Sequence, residues 1–255
     1  MGLDVYAGTL SRYVSRDWKT VVQQFAADTG QPLTLAIRDD ATGEVQYVSP
    51  EELVATDDEK KRNRRDIEGW RDAIIEQLGQ AENGLETWSE DWDKPYFTAK
   101  PDWSGIGAFL VHLAEMVYGE SYDRDRDGAV DYFDNSLVQR LIEDEDVYWT
   151  IPRGVTMWLP LNGRVIFQAP FLGENTNIGS TVVLREELQE INDRSWRAND
   201  AQFAHWFSNF AEDPRPSSAG ESHLTTEQRA QHCFAVLWRA CDFADEHTVP
   251  ILFDY

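Results

Sequence analysis

The sequence predicts an α+β fold: a single mixed domain over residues 1–255, with antiparallel strands packed against several amphipathic helices. Three observations carry that expectation. Apolar side chains recur at helical spacing in several stretches, as in Ile106, Phe109, Leu110, Leu113, Met116 and Val117. Short β-rich runs bounded by turn residues lie between them, as in Leu33–Ile37 and Glu44–Val48 around Asp39-Asp40-Ala41-Thr42-Gly43. The elements follow no repeating strand–helix–strand order, which argues against a sheet wound from βαβ units. With ten Trp, nine Tyr and twelve Phe in 255 residues, the chain can bury a core without a covalent staple. No internal repeat or break in composition divides it.

In chain order, Leu3–Ala7 reads as an edge or terminal strand. A helix is expected from about Asp17, with Trp18, Val21, Val22, Phe25 and Ala26 on one face and Gly30 just past its end. The hairpin at 33–48 comes next. Ser49-Pro50-Glu51-Glu52 then suits a helix start, with Ser49 as cap, Pro50 at the first position and Glu52 closing a capping box. The helical pattern returns through Ile67, Trp70, Ile74 and Leu78, preceded by the basic run Lys60–Arg65. Acidic neighbours and the i,i+4 pairs Asp57–Lys61 and Asp58–Arg62 make that run a solvated helix face.

Residues Gln80–Trp103 read as a loop mixing Trp88, Trp92, Tyr96, Phe97 and Trp103 with Glu86, Glu90, Asp91 and Asp93. Such aromatics insert into the core as a cover, or form a sugar-binding platform. Asp102 or Ser104 is expected to cap the helix carrying Ile106–Val117. Phe133, Leu137, Val138, Leu141 and Ile142 form another helical stripe. Strands are then expected at Val147–Ile151, Val155–Leu159 and Val165–Ala169, with Pro160-Leu161-Asn162-Gly163 turning between the last two. Phe171–Asn177 reads as a polar loop, Thr181–Leu184 as a strand, and Glu186–Ile191 as a helix. Phe203, Trp206, Phe207 and Phe210 mark an aromatic helix, followed by an exposed loop at Asp213–Ser222. Thr225-Thr226-Glu227-Gln228 opens the last long helix as a capping box, and Val249–Phe253 ends the chain as a strand.

Charge narrows the partners. With 46 acidic and 23 basic residues the chain carries a formal −23, which repels nucleic acid and anionic membranes and attracts cations and basic proteins. The same acidity serves solubility. Met1–Tyr6 lacks the pattern of a secretory signal, and no apolar run nears the roughly 20 residues that span a bilayer. Cys233 and Cys241 lie on one expected helix with a rise between them of about 12 Å, beyond disulfide reach. Unpaired thiols point to a reducing, cytoplasmic setting.

One motif carries chemistry. In Asp123-Arg124-Asp125-Arg126-Asp127-Gly128-Ala129-Val130-Asp131-Tyr132-Phe133-Asp134, oxygen donors recur at positions 1, 3, 5, 7, 9 and 12 of a twelve-residue loop. Asp123, Asp125 and Asp127 supply the first three. Gly128 stands where the chain must turn, Ala129 offers its carbonyl, Val130 faces the core, and Asp131 and Asp134 complete the shell. Five carboxylates so close together repel one another unless a cation is bound. The pattern resembles the EF-hand class of calcium loop, and the Asp at position 12 is most similar to the dockerin-type variant. The resemblance implies a Ca2+ site within an EF-hand-like subregion, 104–143, with an exiting helix through Leu137, Val138 and Leu141. It implies no overall function. Asp134 is one methylene shorter than the usual Glu, which brings Mg2+ into consideration. Gly119 and the polar Glu120-Ser121 interrupt the approach of an entering helix. A lone loop in a chain with three Met favours a structural ion over a switch.

No complete catalytic signature occurs. His112, His205, His223, His232 and His247 show no zinc spacing, and no GxSxG, P-loop or GxGxxG is present. Glu174 is one carboxylate among many. Two classes of function remain. The first is an acidic interaction or inhibitor module for a basic protein, as immunity proteins of bacterial toxins are. The second is a hydrolase, acting on a glycan through a carboxylate pair near Trp88–Trp103.

Overall fold

The computed structural model describes residues 2–38, 42–79, 88–121, 131–209 and 224–255. Among the described residues eight strands are present: β1 (Asp4–Ala7), β2 (Leu35–Arg38), β3 (Val45–Val48), β4 (Phe97–Ala99), β5 (Met157–Leu159), β6 (Ile166–Phe171), β7 (Glu174–Ser180) and β8 (Ile251–Asp254). The α-helices among the described residues are α1 (Leu10–Val14), α2 (Val21–Thr29), α3 (Asp57–Gly79), α4 (Asp102–Tyr118), α5 (Ser136–Glu143), α6 (Thr181–Arg194), α7 (Asp200–Asn209) and α8 (Thr226–His247). The α+β expectation holds. No described helix is long and apolar enough to cross a membrane.

Six strands form one sheet in the order β4-β1-β8-β5-β7-β6, while β2 and β3 form a separate two-stranded sheet. Within the large sheet β5–β7 is the parallel pair and the other neighbours run antiparallel. Strand alternation divides the core. Val5, Ala7, Trp158 and Ile251 point to one face, where they pack with Phe109, Leu113, Phe234 and Leu237 of α4 and α8. Tyr6, Met157, Leu159 and Leu252 point to the other, with Leu10, Ile67, Ile74 and Trp88. The sheet therefore lies between the α4–α8 pair on one side and α3 with its covering segment on the other.

Several local signals read correctly. The 33–48 hairpin forms with Leu35 opposite Val48. Thr225 and Gln228 make a reciprocal capping box on α8, and left-handed Gly30 ends α2. Cys233 and Cys241 are buried and unbonded to each other. The segment around Trp88 is a cover: Trp88 is 1% exposed, and Tyr96 stacks on Tyr6.

Other expectations need correction. Leu3–Ala7 does not lie at an edge, because β1 is held between β4 and β8. The first long helix begins at Val21 under a Thr20 capping box, not at Asp17, and the short α1 precedes it. Pro50–Leu53 is only a 3-10 turn; the following helix starts where Glu59 accepts the backbone and side-chain donors of Thr56. The basic run is a helix face, but its ion pairs are Asp58–Lys61, Asp17–Lys60 and Arg64–Glu68 rather than the i,i+4 pairs expected. Neither Asp102 nor Ser104 caps α4; its N-cap position is Pro101. Residues 147–149 are irregular and lead into a turn at Thr150–Gly154, and 181–184 is the first turn of α6, capped by Ser180. Phe171–Asn177 is not a loop: β6 and β7 make the hairpin there, turning at Leu172 and Gly173, both with positive φ. Phe210 and Asp213–Ser222 lie outside the described residues.

Candidate functional site

The expected calcium loop is described only at its end. Asp123, Asp125, Asp127 and Ala129 lie outside the described residues. Asp131 is exposed, and its Oδ1 accepts the Phe133 N–H at 3.1 Å, capping a 3-10 turn at Tyr132–Asp134. Asn135 then takes extended angles and caps α5, so the exiting helix begins two positions after Asp134. On the entering side α4 stops at Tyr118 under left-handed Gly119, in keeping with the interruption expected at that glycine. Among the described residues no group of three or more His, Cys, Asp or Glu is placed to hold a metal ion. The segment at the end of the loop is firmly seated. A Cβ at Gly107 would meet the Tyr132 Cβ at 2.6 Å, so this glycine lets Tyr132 lie against α4. The Tyr132 and Thr226 hydroxyls bond at 2.9 Å, tying the segment to α8.

A second cluster gathers at one end of the large sheet. Asp4 opens β1 and faces Asp254, the last residue of β8, on the same side of the sheet as Tyr6 and Leu252. Lys100, just past β4, lies on the other flank of Asp4, and Asp102 lies 3.6 Å from its ammonium. Asp4 is 7% exposed, and its Oδ1 has no hydrogen-bond partner. Burial raises the Asp4 carboxyl to about pH 6; the Lys100 ammonium opposes the rise, Asp254 adds to it, and the Val21 N–H opposes it. Tyr13 donates to Asp254 Oδ1 at 2.7 Å. Asp102 holds a positive φ of 58°, a conformation an L-residue adopts at a cost. Next to it Trp103 is exposed and meets Tyr255 edge-on at 5.5 Å.

The aromatic loop does not bring its side chains to this cluster as a platform. Trp88 is core, and its indole N–H donates to the fully buried Glu90 at 2.7 Å. The other Glu90 oxygen accepts the Ser11 N–H at 2.8 Å. The Trp92 ring lies under the Lys60 ammonium. The expected loop ends earlier than Trp103: Phe97 belongs to β4 and Trp103 to the first turn of α4, where it is open to solvent at the cluster.

His112 makes a third site. Its ring lies flat on Trp196, centroids 4.0 Å apart and planes within 8°. Nε2 is buried without a partner. The side chain borders a cavity of about 280 Å³ between α4 and α8, with Glu115, Thr226 and Glu227 on its walls. Burial lowers the imidazole to about pH 4, so it is neutral at physiological pH. His205 is exposed on α7, and Glu174 is exposed at the start of β7.

Glu187 on α6 is 5% exposed. Its two oxygens accept the Thr150 N–H at 2.9 Å, and one accepts the Thr150 hydroxyl at 2.6 Å; the Trp158 indole donates to that hydroxyl in turn. Burial raises this carboxyl to about pH 7 against those hydrogen bonds. One turn on, Glu190 accepts the hydroxyl of exposed Tyr148 at 2.6 and 2.7 Å and a guanidinium N–H of Arg194. Glu143, Glu145 and Asp146 are exposed just before Tyr148 in sequence and form no ion pair among the described residues.

Asp4, Asp254 and Glu187 were not singled out from the sequence. A carboxylate inside the apolar run Leu3–Ala7 was the available signal for Asp4, and none marked its partner. Comparison of the chain with protein-family models, curated proteins and solved structures finds no match.

Proposed function

We propose that this protein is an acidic binding module that engages a basic protein partner, with calcium held by Asp123–Asp134 as a structural ion. One observation carries the reading. Tyr148 is 58% exposed yet held through its hydroxyl, whose single O–H is shared between the two Glu190 oxygens at 2.7 and 2.6 Å, just after the exposed carboxylates Glu143, Glu145 and Asp146 in sequence. A rigid tyrosine loses little conformational entropy on binding, and aromatic anchors dominate interface energies. The surrounding negative field attracts and orients a cationic partner. The chain's net −23 extends that field over the whole molecule.

The test is binding of a short lysine homopeptide, followed by fluorescence anisotropy at low and physiological ionic strength. The variant Glu143→Gln/Glu145→Gln/Asp146→Asn is expected to weaken binding about tenfold, three exposed contacts at ~0.5 kcal/mol each. Neutralising Asp57, Asp58 and Asp66 on α3, which removes as many exposed charges, serves as control. Equal losses in both variants would reduce the interaction to net charge and overturn the proposed face.

A carboxylate-dependent hydrolase is the second reading, favoured by the opposition of Asp4 and Asp254. Directly opposed Cβ atoms on antiparallel strands lie about 4.5–5.5 Å apart, and the carboxyls of retaining glycosidases about 5–5.5 Å. Asp4, raised to about pH 6, would serve as the acid and Asp254 as the second carboxylate. Turnover of chromogenic glycosides, lost in Asp4→Asn, would support it; an inert protein near pH 6 would end it.

A further inference from the structure

We infer that the free edge of β3 is a strand-addition site for an extended basic segment of a partner protein. The inference deepens the proposed function and rests on it for the sign of the partner's charge.

The hairpin stands apart from the main sheet, and among the described residues β2 and β3 pair only with each other. Every residue of both strands is exposed or half-buried. Two strands alone are marginally stable in water, and a third strand with an apolar face is what such a ribbon lacks. Natural edge strands carry Lys, Pro or inward charges that block pairing. β2 has Pro32 shortly before it and ends in Arg38. β3 reads Val45-Gln46-Tyr47-Val48, with no charge and no proline.

The surrounding sequence carries exposed apolar residues as well. Of the ten large apolar side chains that are exposed among the described residues, Val22, Phe25, Ile37, Val45 and Tyr47 all fall between positions 22 and 47. Val45 and Tyr47 share one face of the ribbon, with Tyr47 73% exposed. An exposed Val45–Tyr47 pair beside an edge that is unpaired among the described residues is the kind of surface a partner strand covers.

Charge selects the occupant. Residues 20–56 hold Asp28, Asp39, Asp40, Glu44, Glu51 and Glu52 against the single base Arg38. A strand alternating basic and apolar residues would neutralise this field, and its apolar side chains would extend the Val45–Tyr47 face. A second copy of this chain would bring another such field and a further −23, so repulsion opposes self-pairing.

The experiment uses the whole chain and two peptides of equal charge and length, one alternating Val and Lys, the other Ser and Lys. Anisotropy gives affinity, and amide hydrogen exchange locates the contact. The Val–Lys peptide is expected to bind about tenfold more tightly and to slow exchange within Val45–Val48. Tyr47→Lys, at a solvent-facing position that leaves folding intact, should erase the preference. Equal affinity of the two peptides, or protection elsewhere, overturns the strand site while the acidic-module reading stands. Failure of both peptides to bind overturns that reading and the site with it. Protection of Val45–Val48 without peptide, with a dimer in sedimentation, makes a second copy the occupant and overturns the basic-segment assignment.

Discussion

Asp4 and Asp254 face each other across the β1–β8 ladder, the first residue of one strand against the last of the other, with Tyr13 bonded to the second of them. Like charges placed directly opposite destabilise a sheet. The Asp4 carboxyl rises from 3.8 to about 6, chiefly by burial, and the facing Asp254 adds to the rise. A raised value means that the folded state holds the proton more tightly than the unfolded chain. The stabilisation is complete below the unfolded value and is lost as pH climbs through about 6. Asp4→Asn should therefore stabilise the protein at about pH 8 by up to ~3 kcal/mol and change little at about pH 4. Urea unfolding at the two pH values measures this; an equal effect at both would contradict it.

Glu187 follows the same sign at a higher pH. Its carboxyl rises from 4.5 to about 7 by burial, so protonation stabilises the fold and ionisation withdraws that stability as pH passes neutrality. We expect Glu187→Gln to flatten the melting temperature between about pH 5 and pH 8 relative to wild type. At the acid end the wild-type carboxyl is itself protonated and keeps one carbonyl acceptor for Thr150, as the amide does, so the two melts should lie close together there. A slope as steep as that of wild type would assign the pH dependence to other groups.

His112 has the opposite sign. Burial lowers its imidazole from 6.5 to about 4, so the neutral form is the folded form. Its stabilising contribution is present above the unfolded value and disappears as pH falls through about 4. His112→Phe keeps a flat ring on Trp196 and removes the proton acceptor. The acid midpoint, followed by near-ultraviolet circular dichroism of the tryptophans, should move to lower pH. An unchanged midpoint would show that the acid limb belongs to other groups.

The calcium proposal is open to a melt of chelator-stripped protein with calcium, with magnesium and with neither. At a hundredfold excess over its Kd an ion adds about 2.7 kcal/mol. For a chain of this size that raises the melting temperature by roughly 5–10 °C. Asp123→Ala should abolish the rise. If neither ion shifts the wild type, the loop holds no metal.

Elements whose signals are local were legible in the sequence. The capping box at Thr225–Gln228, the αL stop at Gly30 and the turn-bounded hairpin at 33–48 each draw on residues within one turn or one ribbon, where backbone geometry answers directly to residue type. Misreadings came where tertiary context decided. Val147–Ile151 has the apolar run of a strand, yet its Thr150 backbone is held by Glu187 from α6 and turns instead. Pro160–Gly163 resembles a hairpin turn, yet β5 pairs with β7 and β8 while β6 turns back through Leu172-Gly173.

The candidate sites divide in the same way. The calcium motif is contiguous, so spacing alone marked Asp123–Asp134 as a set of oxygen donors. Asp4 and Asp254 come from opposite ends of the chain, and His112 meets Trp196 only after α4 packs beneath the segment that comes after α6. By itself the sequence determined the α+β class, the acidity, the capping box at Thr225–Gln228 and the stop at Gly30, because these depend on residue type and short-range spacing. The tertiary structure alone decided which carboxylates are buried, which face one another and which edge is unpaired among the described residues, because burial and strand pairing are set by contacts between residues far apart in the chain.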